Sequence, residues 1–323
     1  MEVFRRLPPP ERRRPCALSI GNFDGVHVGH REMLQQLVAA ARARGLPVCA
    51  LTFEPHPREW FAAHPRPGMP PVTPPARIST SRDKLEALAD CGVDRVCIAH
   101  FNASLAALPA ERFIEDIIVD GLQAECLVVG DDFRFGAKRR GDFAMLAEAA
   151  PRLGFELARQ VTVERDGMRV SSSVVRDALA IGDFGRAQRL LGRPYTISGH
   201  VIHGRKLGRD LGFPTLNLPV RFPRPAVSGV FVVQVHGLGD RPLPGVASLG
   251  TRPAVENDGR LLLEVHLFDF ARQVYGQRVR VEFLSKLRDE ARYDSLDLLV
   301  AQIRRDAQQA RDWFAARALA RHP

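Results

Sequence analysis

Along the first half of the chain, short apolar runs alternate with segments whose apolar residues recur every three to four positions. Cys16–Ile20 is the first run. After the turn Gly21-Asn22-Phe23-Asp24-Gly25, a helical stripe passes through Met33, Leu34, Leu37, Val38 and Ala41. Gly45-Leu46-Pro47 closes it, and a second buried strand is expected over Val48–Phe53. Helices are expected around Arg82–Ala89, Ala110–Val119 and Asp142–Ala149, with strands over Val93–Ile98, Glu125–Val129 and Phe155–Val161. Strand, glycine-rich turn, helix and strand make a βαβ opening, so this half should be doubly wound α/β, with a parallel sheet that takes its ligand near the strand C-termini. The proline-rich stretch His64–Pro75 reads as a surface loop, and Met1–Pro15, rich in Arg and Pro, as a ragged, exposed leader.

Beyond Val174–Leu191 the rhythm changes. Short strands are expected at Tyr195–Ile202, Gly229–Val235, Pro244–Leu249, Leu261–Leu267 and Gln277–Phe283, separated by Gly and Pro turns. A closed antiparallel barrel suits them, because closure leaves no strand edge exposed. The amphipathic segment Ser295–Ala320 should be a helix covering part of that barrel. Gly192-Arg193-Pro194 breaks the last helix of the first half, which gives domains over 16–186 and 187–323, and a chain of 323 residues suits two cores.

Composition narrows the class. With 45% hydrophobic and 26% charged residues the chain has the means to fold throughout. No run approaches the roughly 18 apolar residues of a membrane span, and the leader lacks the apolar core of a signal peptide, so a soluble, cytoplasmic protein without membrane partners is expected. Five cysteines without a CxxC pair read as buried thiols in a reducing compartment. The net charge of +9 could attract nucleic acid, acidic membrane or phosphorylated small molecules alike, but it is dispersed along the chain, so no nucleic acid is expected as a partner.

The most informative segment is Gly21 to His30. His27 and His30 flank Val-Gly at a strand-to-helix junction, where Gly25 and Gly29 allow close backbone approach and helix N–H groups accept negative charge. The imidazoles can donate hydrogen bonds to an attacked α-phosphate; alternatively they cap the helix, and a zinc reading lacks a third ligand nearby. Farther on, Ser171-Ser172-Ser173-Val174-Val175-Arg176 can serve phosphate, with Ser173 as ligand or plain helix cap. Phe53, Phe133 and Phe135 suit a flat ring system but also a core. The segment resembles the HxGH signature of nucleotidyltransferases, and with Phe23-Asp24-Gly25 it is similar to the FMN adenylyltransferase domain of prokaryotic bifunctional riboflavin kinase/FAD synthetases. Thr52-Phe53-Glu54-Pro55-His56-Pro57, Gly130-Asp131-Asp132-Phe133-Arg134-Phe135-Gly136 and the Ser171–Arg176 element match further motifs of that family. The resemblance implies a Rossmann-like nucleotidyltransferase fold, nucleotide and flavin contacts from Gly21, Phe23, Asp24, Gly25, Gly29, Phe53, Pro55, His56, Asp132 and Phe133, and ATP contacts from Ser172, Ser173 and Arg176.

In the second half, Gly204, Gly208 and Gly212 sit among basic residues and can wrap phosphates, although the loop is not a Walker A sequence. Thr215 and Asn217 follow and can present two oxygens from one face of an extended strand to Mg2+. Glu264 stands inside the apolar run Leu261–Phe268, where it is either functional or simply outward-facing. The block resembles a riboflavin kinase domain, including its PTxN signature Pro214-Thr215-Leu216-Asn217. That resemblance implies Mg-ATP contacts by Thr215 and Asn217, phosphate enclosure by Gly204, Lys206, Gly208 and Arg209, and Glu264 as the base for the riboflavin 5′-hydroxyl. It also matches Arg288 to a stretch that closes over riboflavin. Ser248 and Ala254 depart from the family's Asn and Thr. The resemblance covers about residues 16 to 312 and implies an enzyme that phosphorylates riboflavin to FMN and adenylylates FMN to FAD, with ATP and Mg2+; a monomer or weak homo-oligomer is expected, the sequence itself not giving the oligomeric state. The rivals are an enzyme retaining one activity and a flavin-binding or nucleotide-binding regulator.

Overall fold

The computed structural model describes residues 1–65, 70–160, 163–165, 167–204, 211–222, 224–250 and 261–320. By contacts the chain divides into two compact units, Met1–Pro75 with Lys84–Ser171, and Ala76–Asp83 with Ser172–Pro323.

The first unit is built on a parallel sheet of β1 (Glu2–Phe4), β2 (Cys16–Ile20), β3 (Val48–Glu54), β4 (Arg95–His100), β5 (Ala124–Gly130) and β6 (Glu156–Gln160), in the order β1-β4-β3-β2-β5-β6. The helices are α1 (Val28–Arg42), α2 (Pro57–Ala63), the C-terminal part of α3 (Ser81–Asp90), α4 (Ala103–Ala107), α5 (Ala110–Arg112), which continues as a wider π-helical turn over Phe113–Val119, and α6 (Phe143–Leu153). Alternate strand residues are buried on opposite faces. Leu18, Leu51 and Leu127 pack with Ile114, Ile118 and Leu146, while Ala17, Ala50 and Val128 pack with Leu34, Leu37 and Leu88. Burial on both faces is why these strands read as unbroken apolar runs. Two short strands, β7 (Glu164–Arg165) and β8 (Met168–Arg169), form a separate hairpin.

The expected leader is corrected here. Glu2–Phe4 adds a parallel strand beside β4, with Phe4 buried and the Arg12 and Arg95 guanidinium groups over its ring.

After Ala76–Asp83, the second unit continues with α7 (Ser172–Ile181) and α8 (Phe184–Leu191). A six-stranded antiparallel sheet follows, in the order β10-β13-β12-β11-β14-β9: β9 (Thr196–His200), β10 (Leu216–Val220), β11 (Gly229–His236), β12 (Leu243–Gly250), β13 (Leu261–Leu267) and β14 (Arg278–Arg288). The barrel is nearly closed, since just past β9 the Ile202 N–H donates to the Asn217 carbonyl of β10 at 2.9 Å. Its interior holds Phe231, Val233, Leu249, Leu263 and Val281. The final helix α9 (Leu296–Ala320) packs Ala307, Ala310, Trp313 and Phe314 against Val230, Val232 and Val246 on the outer face.

Candidate active sites

In the first unit β2 is the strand at which the order reverses. β3 and β4 lie to one side and β5 to the other, so the connections leaving β2 and β5 diverge and open a crevice at their C-terminal ends. The turn from Gly21 leaves β2 there. Its backbone is left-handed at Phe23 (φ 48°), Gly25 (φ 84°) and Val26 (φ 40°). Such angles cost non-glycine residues roughly 1–3 kcal/mol each, and complete burial of Phe23 and Val26 offsets a cost of that size.

The turn runs into α1, whose first N–H groups have no intrahelical acceptor. His27 caps it, its Nδ1 accepting from the His30 N–H at 3.3 Å. The two imidazoles stack with centroids 3.7 Å apart and planes 15° from parallel, and Phe23 meets His30 edge-on at 5.3 Å. A side chain at position 29 would put its first carbon 3.3 Å from the His27 ring, so glycine accommodates the stack. Burial, followed by the neighbouring His27 and Lys84, holds the His30 pKa well below the usual imidazole value. His30 is therefore neutral at pH 7, with one ring N–H to donate, and its buried Nδ1 has no hydrogen-bond partner among the described residues.

The second motif ends β3. Phe53 is half-buried with its edge to Phe101, and Pro55 follows a cis peptide bond. His56 caps α2: its Nδ1 accepts from the Arg58 N–H, and the Glu59 carboxylate accepts from the His56 N–H. At the end of β5, the exposed Asp132 carboxylate accepts from Arg169 at 2.5 Å. Phe133 stacks at 5.4 Å on Phe135, which is buried against Phe113 and belongs to the core.

In the second unit α7 starts at Ser172, so Ser173 lies in its first turn rather than at the cap position. The Arg176 Nε donates to the Ala76 carbonyl at 2.6 Å, which fixes the plane of its guanidinium.

Register assembles the other constellation. Asn217 on β10 is directly across from Glu264 on β13, Glu264 from Ser248 on β12, Ser248 from Val230 on β11, and Val230 from Arg288 on β14. Residues in such a row share one face of a sheet. Because Val230 packs under α9, this is the outer, helix-covered face, and the half-buried Glu264 alternates with buried Leu263 and Val265. The start of the row is tightly held. The Asn217 amide donates to the Thr215 carbonyl at 3.2 Å, and the His266 ring Nδ1 lies 3.0 Å from the Pro214 carbonyl. Gly204 packs so closely on Asn217 that a side chain there would put its first carbon 2.5–2.7 Å from the amide atoms. At the other end, Arg288 forms a bidentate pair with the buried Asp306 of α9, at 3.0 and 2.7 Å, and donates to the Asp289 carbonyl. Its guanidinium braces the helix. Lys206, Gly208 and Arg209 lie outside the described residues, as do Thr251 to Ala254.

Sequence reasoning passed over Lys84, and quoted Thr52 and Asn22 within motifs without giving either a role. Lys84 is buried on the α3 stripe that also carries Ala87 and Leu88; its Nζ donates to the Thr52 Oγ1 at 3.4 Å, and that hydroxyl donates to the Asn22 carbonyl at 3.2 Å. A lysine in phase with the apolar positions of a helix was the available signal.

Comparison with known proteins meets this geometry from outside. The FAD synthetase family model matches residues 9–174 and the riboflavin kinase model residues 191–314. The chain is 49% identical over 299 residues to the bifunctional riboflavin kinase/FMN adenylyltransferase of Escherichia coli (strain K12), covering 93% of each protein. It is 47% identical to the protein of that description from Pseudomonas fluorescens, covering 94% of each, and 44% identical to that from Haemophilus influenzae, covering 97% of this chain and 99% of the relative. A solved structure from Streptococcus pneumoniae, described as a macrolide-efflux protein, superimposes with a TM-score of 0.73 at 29% identity, over 96% of this chain and 98% of its own.

Proposed function

The chain belongs to the bifunctional riboflavin kinase/FMN adenylyltransferase family, and from that premise we propose which residues carry each reaction. It phosphorylates riboflavin to FMN and adenylylates FMN to FAD, using ATP and Mg2+. Our division gives adenylyl transfer to residues 16–186 and phosphorylation to 187–323; matches ending at 174 and resuming at 191 support a boundary between them.

For the kinase, Glu264 takes the proton of the riboflavin 5′-hydroxyl as its oxygen bonds to the γ-phosphorus of ATP and the bond to the bridging oxygen breaks, releasing ADP. The observation that carries this reading is the row Asn217–Glu264–Ser248, which sets a carboxylate beside the PTxN side chains on one face. Thr215 and Asn217 fit a hard cation: the Asn217 amide nitrogen is engaged by the Thr215 carbonyl, which orients the side-chain oxygen as an acceptor. Bound Mg2+ neutralises charge on the phosphates. We assign Gly204, Lys206, Gly208 and Arg209 to those phosphates on the family resemblance.

For adenylyl transfer, a phosphate oxygen of FMN bonds to the α-phosphorus of ATP and pyrophosphate leaves. FMN is already nucleophilic at neutral pH, so His27, His30 and Arg176 act as hydrogen-bond donors to developing charge, with Ser172 and Ser173 positioning the nucleotide. Neutral, His30 still keeps one ring N–H for this role. Gly21, Phe23, Asp24, Gly25, Gly29, Phe53, Pro55, His56, Asp132 and Phe133 form the surrounding nucleotide and flavin cleft. Free cysteines, four of the five buried, support a cytoplasmic location. The efflux description of the Streptococcus pneumoniae neighbour is not carried over, because both family models and the curated relatives name flavin transfer; among the described residues no helix is long and apolar enough to cross a membrane.

A chromatographic time course of flavin-free protein, started once from riboflavin and once from FMN, tests both sites. Glu264→Gln should stop FMN appearing from riboflavin yet still convert supplied FMN to FAD, and His30→Asn should do the reverse. If either variant keeps both activities, the residue assignment for that site is wrong.

A further inference from the structure

Lys84 belongs to none of the motifs that mark either site. It is 4% exposed, on a helix stripe otherwise filled by Ala87 and Leu88. Lysine is almost never buried to this degree without a specific reason, since removing an ammonium from water costs several kcal/mol even after relaxation. Packing alone would be served by leucine or methionine in that position.

The side chain reaches a particular place. Its Nζ donates to Thr52 Oγ1 at 3.4 Å, and Thr52, 2% exposed near the C-terminal end of β3, donates to the Asn22 carbonyl at 3.2 Å. Asn22 lies in the left-handed turn between β2 and α1, one residue before Phe23 and five before His27. A chain of two hydrogen bonds thus connects a buried cation to the segment that carries both imidazoles. That segment needs such support, since Phe23 and Val26 hold backbone angles that non-glycine residues rarely adopt.

We propose that Lys84 is a positioning residue for adenylyl transfer, bracing the Gly21–His30 turn through Thr52 and Asn22 and setting a fixed positive charge behind the two imidazoles. The inference rests on the assignment of His27 and His30 to that reaction. Two consequences separate it from a role in packing. The positive charge disfavours a second positive charge on His30, in keeping with the lowered pKa of that ring; without it the ring becomes easier to protonate. The hydrogen-bond chain fixes the turn, so breaking it at Thr52 should slow the reaction without that electrostatic change.

The experiment uses the full-length enzyme and its kinase reaction as an internal control for folding. Lys84→Met keeps the length and removes the charge. It should lower kcat for FAD formation from FMN at least tenfold, move the acid limb of the pH profile to higher pH, and leave FMN formation from riboflavin within twofold of the parent. Lys84→Arg should recover part of the rate and return the acid limb. Thr52→Val should lower the rate with the acid limb unmoved. Wild-type kcat and an unshifted limb in Lys84→Met would overturn the proposal, as would a rate loss that Lys84→Arg shares in full with no shift in the limb. Should Lys84→Met unfold, Thr52→Val decides: FAD formation at the parent rate removes the brace. His30→Asn, run alongside, keeps the two levels apart. If it is active, the assignment of the histidines falls; if it is inactive while Lys84→Met is not, only the role of Lys84 falls.

Discussion

A single methyl group at Gly204 would test the kinase assignment at its most constrained contact. The first side-chain carbon of Gly204→Ala would sit 2.5 Å from Asn217 Nδ2, 2.6 Å from Cγ and 2.7 Å from Oδ1, where ordinary contacts begin at 3.4 Å. Relief requires a displacement of nearly 1 Å. Asn217 cannot supply it cheaply, being 7% exposed, paired across the sheet with Glu264, and held by its amide to the Thr215 carbonyl and by its carbonyl to the Ile202 N–H. Overpacking of this kind costs about 1–3 kcal/mol of stability. A reacting group misplaced by about 1 Å loses on the order of 10²-fold in rate. The expected result is a kinase kcat/KM for riboflavin reduced on the order of a hundredfold, with conversion of supplied FMN to FAD unchanged. The double variant Gly204→Ala/Asn217→Ala should be no worse than Asn217→Ala alone, because the clash and the lost ligand act at the same atoms. A Gly204→Ala enzyme within twofold of wild type in the kinase assay would refute the reasoning.

Asn217→Ala should raise the Mg2+ concentration needed for half-maximal kinase rate while leaving the metal dependence of FAD formation as it was, measured by titration in both assays. Asp306→Ala leaves Arg288 without its carboxylate under α9; breaking a pair of this kind costs about 3 kcal/mol, seen in denaturant unfolding of the second unit, and Arg288→Met should restore part of the loss in the double variant. Burial pushes the Cys97 thiol up to about 12, so at pH 8 only about one thiol in 10⁴ is thiolate. Native protein should therefore resist iodoacetamide at Cys97 and label there after unfolding, as read by peptide mass spectrometry.

Most of the fold was legible because its signals are strong ones. Parallel strands buried on both faces read as apolar runs, and α1 and α3 show their stripes directly. The misses have separate causes. Glu2–Phe4 is three residues long, too short to show a period, and gains its place from pairing with β4. Helix α2 begins at Pro57 beside a proline-rich stretch, where proline at the first helical position looks like a break. Helix α6 runs on through Pro151 beyond its expected end at Ala149. Within the sites, motifs identified side chains but not their partners. Nothing local in the sequence says that His56 caps its own helix, that Arg288 is held by Asp306 eighteen residues on, or that Lys84 reaches Thr52.

The departure at Ser248 shows what register adds to a motif. As a substitution of serine for the family's asparagine it signals only the loss of a polar group. The sheet places it directly across from Glu264, on the side opposite Asn217. Cross-strand neighbours hold their first side-chain carbons about 4.5–5.5 Å apart; an asparagine amide spans that gap toward a carboxylate more fully than the single oxygen of serine. The change therefore falls on the flank of the proposed base rather than on the phosphate-binding side. Glu264 thus lies between Ser248 on one flank and, on the other, Asn217, beside which Gly204 leaves no room for a side chain. Rate lost through Ser248 and rate lost through Gly204 should thus converge on one carboxylate, although the two residues are 44 positions apart in the chain.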